Sequence, residues 1–343
     1  SEFTAVGLLM QKWLPDVPVY IFSTIAIILV LVFNIISTRF YAEVEFYFSL
    51  VKVIAIIAFI ILGIAVIIVL INYVGYEGSS SMIVRYIHPT FPNGLGAVFL
   101  TMLAVNYAFS GTELIGIAAG ETEAPAQVIP KAIRATLWRL IIFFIGTMVV
   151  ISILIPSYQG KSLESPFVVI FQRIGIPFAG DIMNIVIITA LLSAANSGLY
   201  AASRMIWSLA NEGMFPQWFG VLNRAKLPIR AILFSMLGGL LSLLSSVYVA
   251  DTLYVVLVSI AGLAVVIVWM SICISYFNAK RLEPSLKIHQ SVPIIAFILC
   301  FISCIGMIFD SNQAPALYFG IPFAVLALLY YYFKYNRKES TNL

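Results

Sequence analysis

Charge is what this sequence has least of. Only 10% of its 343 residues are Asp, Glu, Lys or Arg, whereas an ordinary soluble domain carries roughly a quarter, and the mean hydropathy is +1.05. Water is therefore excluded as the main solvent of the folded chain. Histidine is nearly absent, and His88 and His289 fall in connections on opposite sides of a membrane, so they cannot form one site. The three cysteines, Cys273, Cys300 and Cys304, all lie in apolar stretches. Cys300 and Cys304 share a helix face, but two thiols without a nearby His or carboxylate make a poor metal site, and free Cys commonly serves as a small core residue. The sequence has no paired acid and base, metal-ligand spacing or nucleotide motif, which argues against an enzyme and against a cofactor. Nothing suggests the rings of carbonyls or charges that line an ion channel.

Long apolar runs are what the sequence has instead. Stretches of about 18 or more mostly apolar residues, each long enough to cross a hydrocarbon core about 30 Å thick as a helix, recur too often for a signal peptide or a single anchor. We place spans at 17–37, 47–71, 95–117, 137–157, 180–209, 229–248, 253–277, 292–309 and 314–334, which predicts an all-α integral membrane protein of about nine transmembrane helices. An odd number puts the termini on opposite sides, and basic residues near span ends mark the cytoplasmic side. One set of connections, from Arg39 through Lys131, Arg204, Arg224 and Lys280 to the C-terminal Lys334, Arg337 and Lys338, holds 14 of the 19 Lys and Arg residues. The other set holds only Lys12, Arg85, Lys161 and Arg173, with Lys52 set apart inside a span. The contrast predicts a cytoplasmic C-terminus and an external N-terminus, and it makes the formal charge of +4 a topology signal, not a nucleic-acid footprint.

The connections are mostly short. The opening SEFTAVGLLMQKWLP is apolar but too short to span, and Gln11, Lys12 and Trp13 before Pro15 read as an interfacial helix end. The segment is either the end of a helix cut in half or an interfacial helix that starts at Ser1. Residues 72–94, with Gly75, Gly78, Ser79 to Ser81, Pro89, Pro92 and Gly94, form a loop by composition. In 158–178, Ser165 is positioned to cap a short helix that Gly175 and Pro177 end.

Polar residues inside spans are expensive and mark function. In 95–117, Phe109, Ser110, Gly111, Thr112 and Glu113 place a flexible residue, two hydroxyls and a carboxylate near the bilayer interior. A helix interrupted at Gly111 frees carbonyls, tolerable only where they line a cavity or bind a ligand, and broken helices of this kind build many transporter sites. The alternative is a continuous helix with its hydroxyls bonded to the preceding turn. Lys52, which costs about 2.5–3.5 kcal/mol at a helix centre, is either a proton carrier or a residue that snorkels outward or pairs with Glu43 or Glu45. In 180–209, Ser193, Asn196, Ser197 and Tyr200 follow helical spacing as one polar stripe, which serves a site or helix packing. Ser259 and Gly262 give a weaker signal. Glu121 and Glu123, followed by Pro130, Lys131 and Arg134, read as a charged gate or a solvated loop.

The strings FSGTELIGIAAGETEAPAQVIPKAIR (109–134), EVEFYFSLVKVIAIIAFIILG (43–63) and LLSAANSGLYAASRMIWSLANEG (191–213) together resemble the amino-acid permeases of the amino acid–polyamine–organocation (APC) superfamily. Within it, GVLNRAKLPIRAILFSMLGGLLSLLSS (220–246) and VWMSICISYF (268–277) look most like the S-methylmethionine permease subgroup of the amino acid transporter family. The resemblance implies a leucine-transporter-type fold of twelve helices, the first ten in two inverted repeats. On that alignment the chain lacks its first helices. Residues 1–71 are then the remainder of the first repeat, 95–277 the second, and 292–334 two additional helices. The resemblance further implies substrate binding at Phe109, Ser110, Gly111, Thr112 and Glu113 and a role for Lys52 in place of a sodium ion, with Ser193, Asn196 and Ser197 facing it. The expected activity is proton-coupled import of an amino acid at the plasma membrane by alternating access, with S-methylmethionine as a candidate substrate. Its rival is a truncated, non-transporting piece of such a permease. The expected partners are the amino acid, protons and the lipid bilayer, with no nucleic acid; Glu121 is the candidate gate.

Overall fold

The computed structural model describes residues 1–77, 94–118, 122, 124–155, 166–173, 178–248, 250–282, 291–309 and 313–339. Apolar runs become helices because a backbone in hydrocarbon must satisfy its hydrogen bonds internally. In chain order they are α1 (Glu2–Met10), α2 (Val19–Ile36), α3 (Thr38–Glu77), α4 (Gly94–Val105), α5 (Leu114–Ala118), α6 (Pro125–Leu154), α7 (Pro166–Arg173), α8 (Ala179–Asn211), α9 (Ile229–Tyr248), α10 (Ala250–Leu282), α11 (Ser291–Gly306) and α12 (Ala314–Glu339). Single 3-10 turns lie at Asn106–Phe109, Gln217–Gly220 and Met307–Phe309.

Among the described residues, six helices are long and apolar enough to cross a bilayer: Val19–Ile36, Arg39–Val69, Pro125–Leu154, Gly180–Asn211, Leu257–Ala279 and Ser291–Phe309. The other three expected spans are helical too. In α9 and α12 the apolar portions, Ile229–Leu243 and Ala314–Tyr330, are shorter, and 95–117 is divided into α4, a 3-10 turn and α5. The short helix expected in 158–178 is α7, while Ser165, Gly175 and Pro177 lie outside the described residues. Between α2 and α3 only Ser37 interrupts helical geometry (φ −167°, ψ 158°). Its Oγ accepts a hydrogen bond from the Phe40 backbone N–H at 3.0 Å, the arrangement by which Ser caps a helix N-terminus.

The chain divides into two units, residues 2–92 with 114–248, and residue 1 with 93–113 and 249–343. In the first unit, Phe3, Val6, Ala26, Ile27, Val30, Leu199, Ile232 and Met236 join α1, α2, α8 and α9. A second cluster of Phe59, Ile67, Val150, Val168, Ile170, Phe171 and Met183 joins α3, α6, α7 and α8. Small residues let these helices approach, as membrane packing requires where apolar burial no longer drives association. A Cβ on Gly7 would lie 2.7 Å from the Val19 carbonyl oxygen and from Ser23 Oγ, one on Gly146 would meet Ile60, and one on Gly63 would overlap Val150. We expect Gly63→Leu to cost about 1–3 kcal/mol through overpacking and to lower the melting temperature in detergent. Gly238→Leu, at a site with open space around it, should leave that temperature unchanged.

One end of this unit carries a polar clasp between α1 and α8. Asn184 Nδ2 donates to the Leu9 carbonyl at 3.1 Å, and the Trp13 indole N–H donates to Asp181 Oδ1 at 3.1 Å. Lys12 Nζ pairs with the same Asp181 oxygen at 3.1 Å. The second unit is organised around Leu263, Val266, Met307 and Ala316 of α10, the third 3-10 turn and α12.

The outward surface explains the composition. Along α3, Leu50, Ile54, Ile57, Ile61, Ile64 and Ile68 are exposed at helical spacing, and on α9 Leu233, Leu237, Leu240 and Leu241 do the same. Stripes of this length are a liability in water and a fit to acyl chains. The chain is a multi-pass membrane protein.

Candidate functional site

The polar residues of α2, α3 and α8 meet inside the first unit. Lys52 reaches from α3 to α8, where its Nζ donates to Ser193 Oγ at 2.7 Å. The Ser193 hydroxyl donates in turn to Glu45 Oε1, and the ammonium lies 3.9 Å from that oxygen as an ion pair. From the other side Asn196 Nδ2 donates to Glu45 Oε2 at 3.3 Å, and Asn34 Nδ2 of α2 donates to Asn196 Oδ1 at 2.8 Å. Ser193 and Asn196 are fully buried, and the Lys52 and Glu45 side chains keep 27% and 21% exposure. Both arms of this chain point their donors at one carboxylate, and the Ser193 hydroxyl bridges the acid and the base of the ion pair.

Lys52 therefore pairs with Glu45 and not with Glu43, which is engaged by Arg39 one turn away at 3.2 Å. The helical period explains the choice: Glu45 and Lys52 are seven residues apart, two turns along one face. Beside them is a cavity of ≈ 250 Å³ with apolar walls, among them Ala55, Phe167, Met183 and Leu191, and Lys52 as its charged lining residue. Ser197 does not join the chain. Its side chain is hydrogen-bonded to Tyr41, whose ring stacks on Tyr200 at 4.4 Å and 10°, and the Arg204 guanidinium lies 4.7 Å from the Tyr200 ring centre.

The other candidate region belongs to the second unit. The helical ladder stops at Val105, passes through the 3-10 turn Asn106–Phe109, and gives way to a turn at residues 110–113 before α5 resumes at Leu114. Gly111 has φ +93°, a value open to glycine and strained for any side chain. A continuous helix through Phe109–Glu113 is thus ruled out in this fold. Glu113 folds back on the turn, accepting the Gly111 backbone N–H on Oε1 at 3.0 Å and the Trp269 indole N–H of α10 on Oε2 at 3.3 Å. Phe109 is exposed, and Ser110 and Thr112 are half-buried. Glu121, the candidate gate, and Glu123 lie outside the described residues.

Two partners escaped the sequence reading, Asn34 and Trp269, whereas Glu45 is one of the two carboxylates expected to pair with Lys52 and does so. Asn34 was readable as the lone amide in the apolar run of α2, since such a group inside a bilayer demands a partner. Trp269 carried the same message, because a buried indole N–H needs an acceptor.

The sequence matches the amino acid permease family over residues 1–342. It is 47% identical to the Bacillus subtilis protein named "Putative histidine permease", covering 98% of this chain and 73% of that protein. It is 42% identical to the amino-acid permease RocC of the same organism (98% and 74%), and 34% identical to the lysine-specific permease LysP of Escherichia coli (94% and 71%). A match along nearly the whole chain, joined to a membrane-spanning helical fold, places this protein in the amino acid permease family of the APC superfamily.

Proposed function

We propose that the protein imports an amino acid across the plasma membrane by alternating access, driven by protons, with its C-terminus in the cytoplasm. The observation that carries the reading is the interruption at Gly111, where main chain leaves the helical ladder inside an otherwise apolar segment. Secondary transporters use such breaks to offer carbonyls and amides to a small zwitterion. In this reading Phe109, Ser110, Gly111, Thr112 and Glu113 receive the substrate, its amino group meeting the exposed main chain. Glu121 is the proposed gate residue.

The coupling step belongs to Lys52. A proton leaves the ammonium for Ser193 Oγ as the serine's own proton passes to Glu45 Oε1, and a neutral amine and a neutral carboxylic acid result. Asn196 steadies the carboxyl group from its other oxygen, and Ser197 with Tyr41 lines the next layer. Glu45 then releases this proton to the cytoplasmic side and Lys52 takes up another from outside, which restores the ion pair and moves one proton inward per cycle.

Glu113 supports a substrate whose side chain carries positive charge. Its oxygens are held by two neutral donors, and among the described residues no Lys or Arg forms an ion pair with it. A relative named for lysine falls in the same chemical class, as does S-methylmethionine through its sulfonium. The test is radiolabelled lysine uptake into proteoliposomes under an imposed pH gradient, competed with histidine, S-methylmethionine and phenylalanine. Accumulation should collapse on adding a protonophore, and accumulation indifferent to the gradient would remove the symport reading. Removing the charge with Glu113→Gln should raise KM for cationic substrates about 10- to 100-fold, the worth of one charge-assisted hydrogen bond of about 1.5–3 kcal/mol. Unchanged kinetics in that variant would take Glu113 out of the site.

A further inference from the structure

The connection between α8 and α9 is built differently from an ordinary solvated turn. Phe219 is buried and anchors the 3-10 turn Gln217–Gly220, packing against Phe215 at 5.2 Å and Phe234 at 5.0 Å. Its neighbour Trp218 is left 54% exposed, with Val221 and Leu222 also exposed. The chain then closes through Asn223, whose Oδ1 accepts the backbone N–H groups of Ala225 and Leu227 at 3.0 and 2.8 Å. Lys226 sits at φ +57°, where glycine or asparagine would be less strained.

Three cations project from this scaffold: Arg224, Lys226 and Arg230, all exposed. No Asp or Glu occurs between residues 213 and 250, so nothing within the segment balances them. The Arg230 guanidinium lies 5.3 Å from the Trp218 ring centre and donates to the Trp218 carbonyl at 3.0 Å, which joins cation and indole into one platform. Arg230 also fixes the depth of the platform. It lies on the same helix face as the exposed apolar residues Phe234, Leu237 and Leu241 of α9, at the head of a stripe that faces acyl chains, and so at the level of lipid phosphates. An exposed indole beside it is the side chain that favours that boundary.

We propose that Trp218, Arg224, Lys226 and Arg230 form a binding surface for the headgroup of an anionic phospholipid. Trp218, Val221 and Leu222 enter the acyl boundary, and the three cations hold the phosphodiester. The inference rests on the membrane-spanning assignment and on no feature of the transported substrate, so it stands or falls separately from the transport reading. Each basic residue at an anionic surface contributes about fivefold in binding.

The experiment is native mass spectrometry of the detergent-purified protein titrated with phosphatidylglycerol or phosphatidylcholine. The wild type should retain phosphatidylglycerol preferentially, and the triple variant R224A/K226A/R230A should lose at least tenfold of that retention with phosphatidylcholine unaffected. Equal phosphatidylglycerol retention in both proteins overturns the proposal. A tenfold excess of free glycerol phosphate should displace little lipid; full displacement would mean a site for small anions and also overturns it. Lys226→Gly serves where the triple variant does not fold, because glycine takes φ +57° without strain. It should melt no lower than the wild type yet bind phosphatidylglycerol about fivefold more weakly, and unaltered binding counts against the surface.

Discussion

Replacing Lys52 by Ala should abolish proton-driven accumulation, with uptake against a gradient falling at least 100-fold, while exchange of internal for external substrate persists. Two effects combine. The chain from Lys52 through Ser193 to Glu45 loses its proton source, and Glu45 is left as a largely buried carboxylate without its cation, a loss of about 3–5 kcal/mol when one partner of such a pair is removed. The variant is therefore expected to be less stable as well as uncoupled, and two further proteins separate these causes. Lys52→Arg keeps the positive charge but cannot release a proton, so it should fold and bind substrate while failing to accumulate it. The pair Lys52→Ala with Glu45→Gln removes both charges and should regain stability without regaining coupling. Should Lys52→Ala still accumulate substrate in proportion to the pH gradient, the lysine is a structural ion-pair partner and nothing more.

The second large effect is expected at Gly111. At φ +93° an alanine costs about 1–3 kcal/mol, and the cheapest escape is to rotate the segment toward helical angles. That would draw the Gly111 N–H away from Glu113 and close the main chain on itself. Gly111→Ala should lower kcat/KM for uptake about 10- to 100-fold, whereas Gly116→Ala, in α5 with open space around it, should transport normally. Substrate binding measured by calorimetry distinguishes a lost site from a slowed conformational change, and unaltered affinity in Gly111→Ala would detach the broken segment from substrate recognition.

How much of this was legible beforehand depended on whether the physics was local. Apolar run length is local, so the helices were placed by counting residues, and the break at Gly111 was announced by a glycine flanked by Ser110 and Thr112 in the middle of such a run. Lys52 and the stripe Ser193, Asn196 and Tyr200 were visible because polar side chains inside hydrocarbon are conspicuous one at a time. Pairing is not local. Glu43 and Glu45 are both carboxylates within three turns of Lys52, nine and seven residues before it, and helical phase, together with the facing Ser193 of α8, separates them. Ser197 shows the converse, for its place on the stripe suggested the lysine, but its partner is Tyr41. Asn34 and Trp269 each have a single conspicuous polar group in an apolar run, so the need for a partner could be read, but which partner required the fold.

The clasp of Asn184, Asp181, Lys12 and Trp13 bears on how this molecule can move. Three ties at one end, and Gly7 seated against α2, leave the first thirteen residues little freedom to slide past α8. When α8 tilts, α1 is a passenger, and a spin label at the exposed Leu14 would report, from outside the polar interior, every excursion of the helix that carries Ser193 and Asn196.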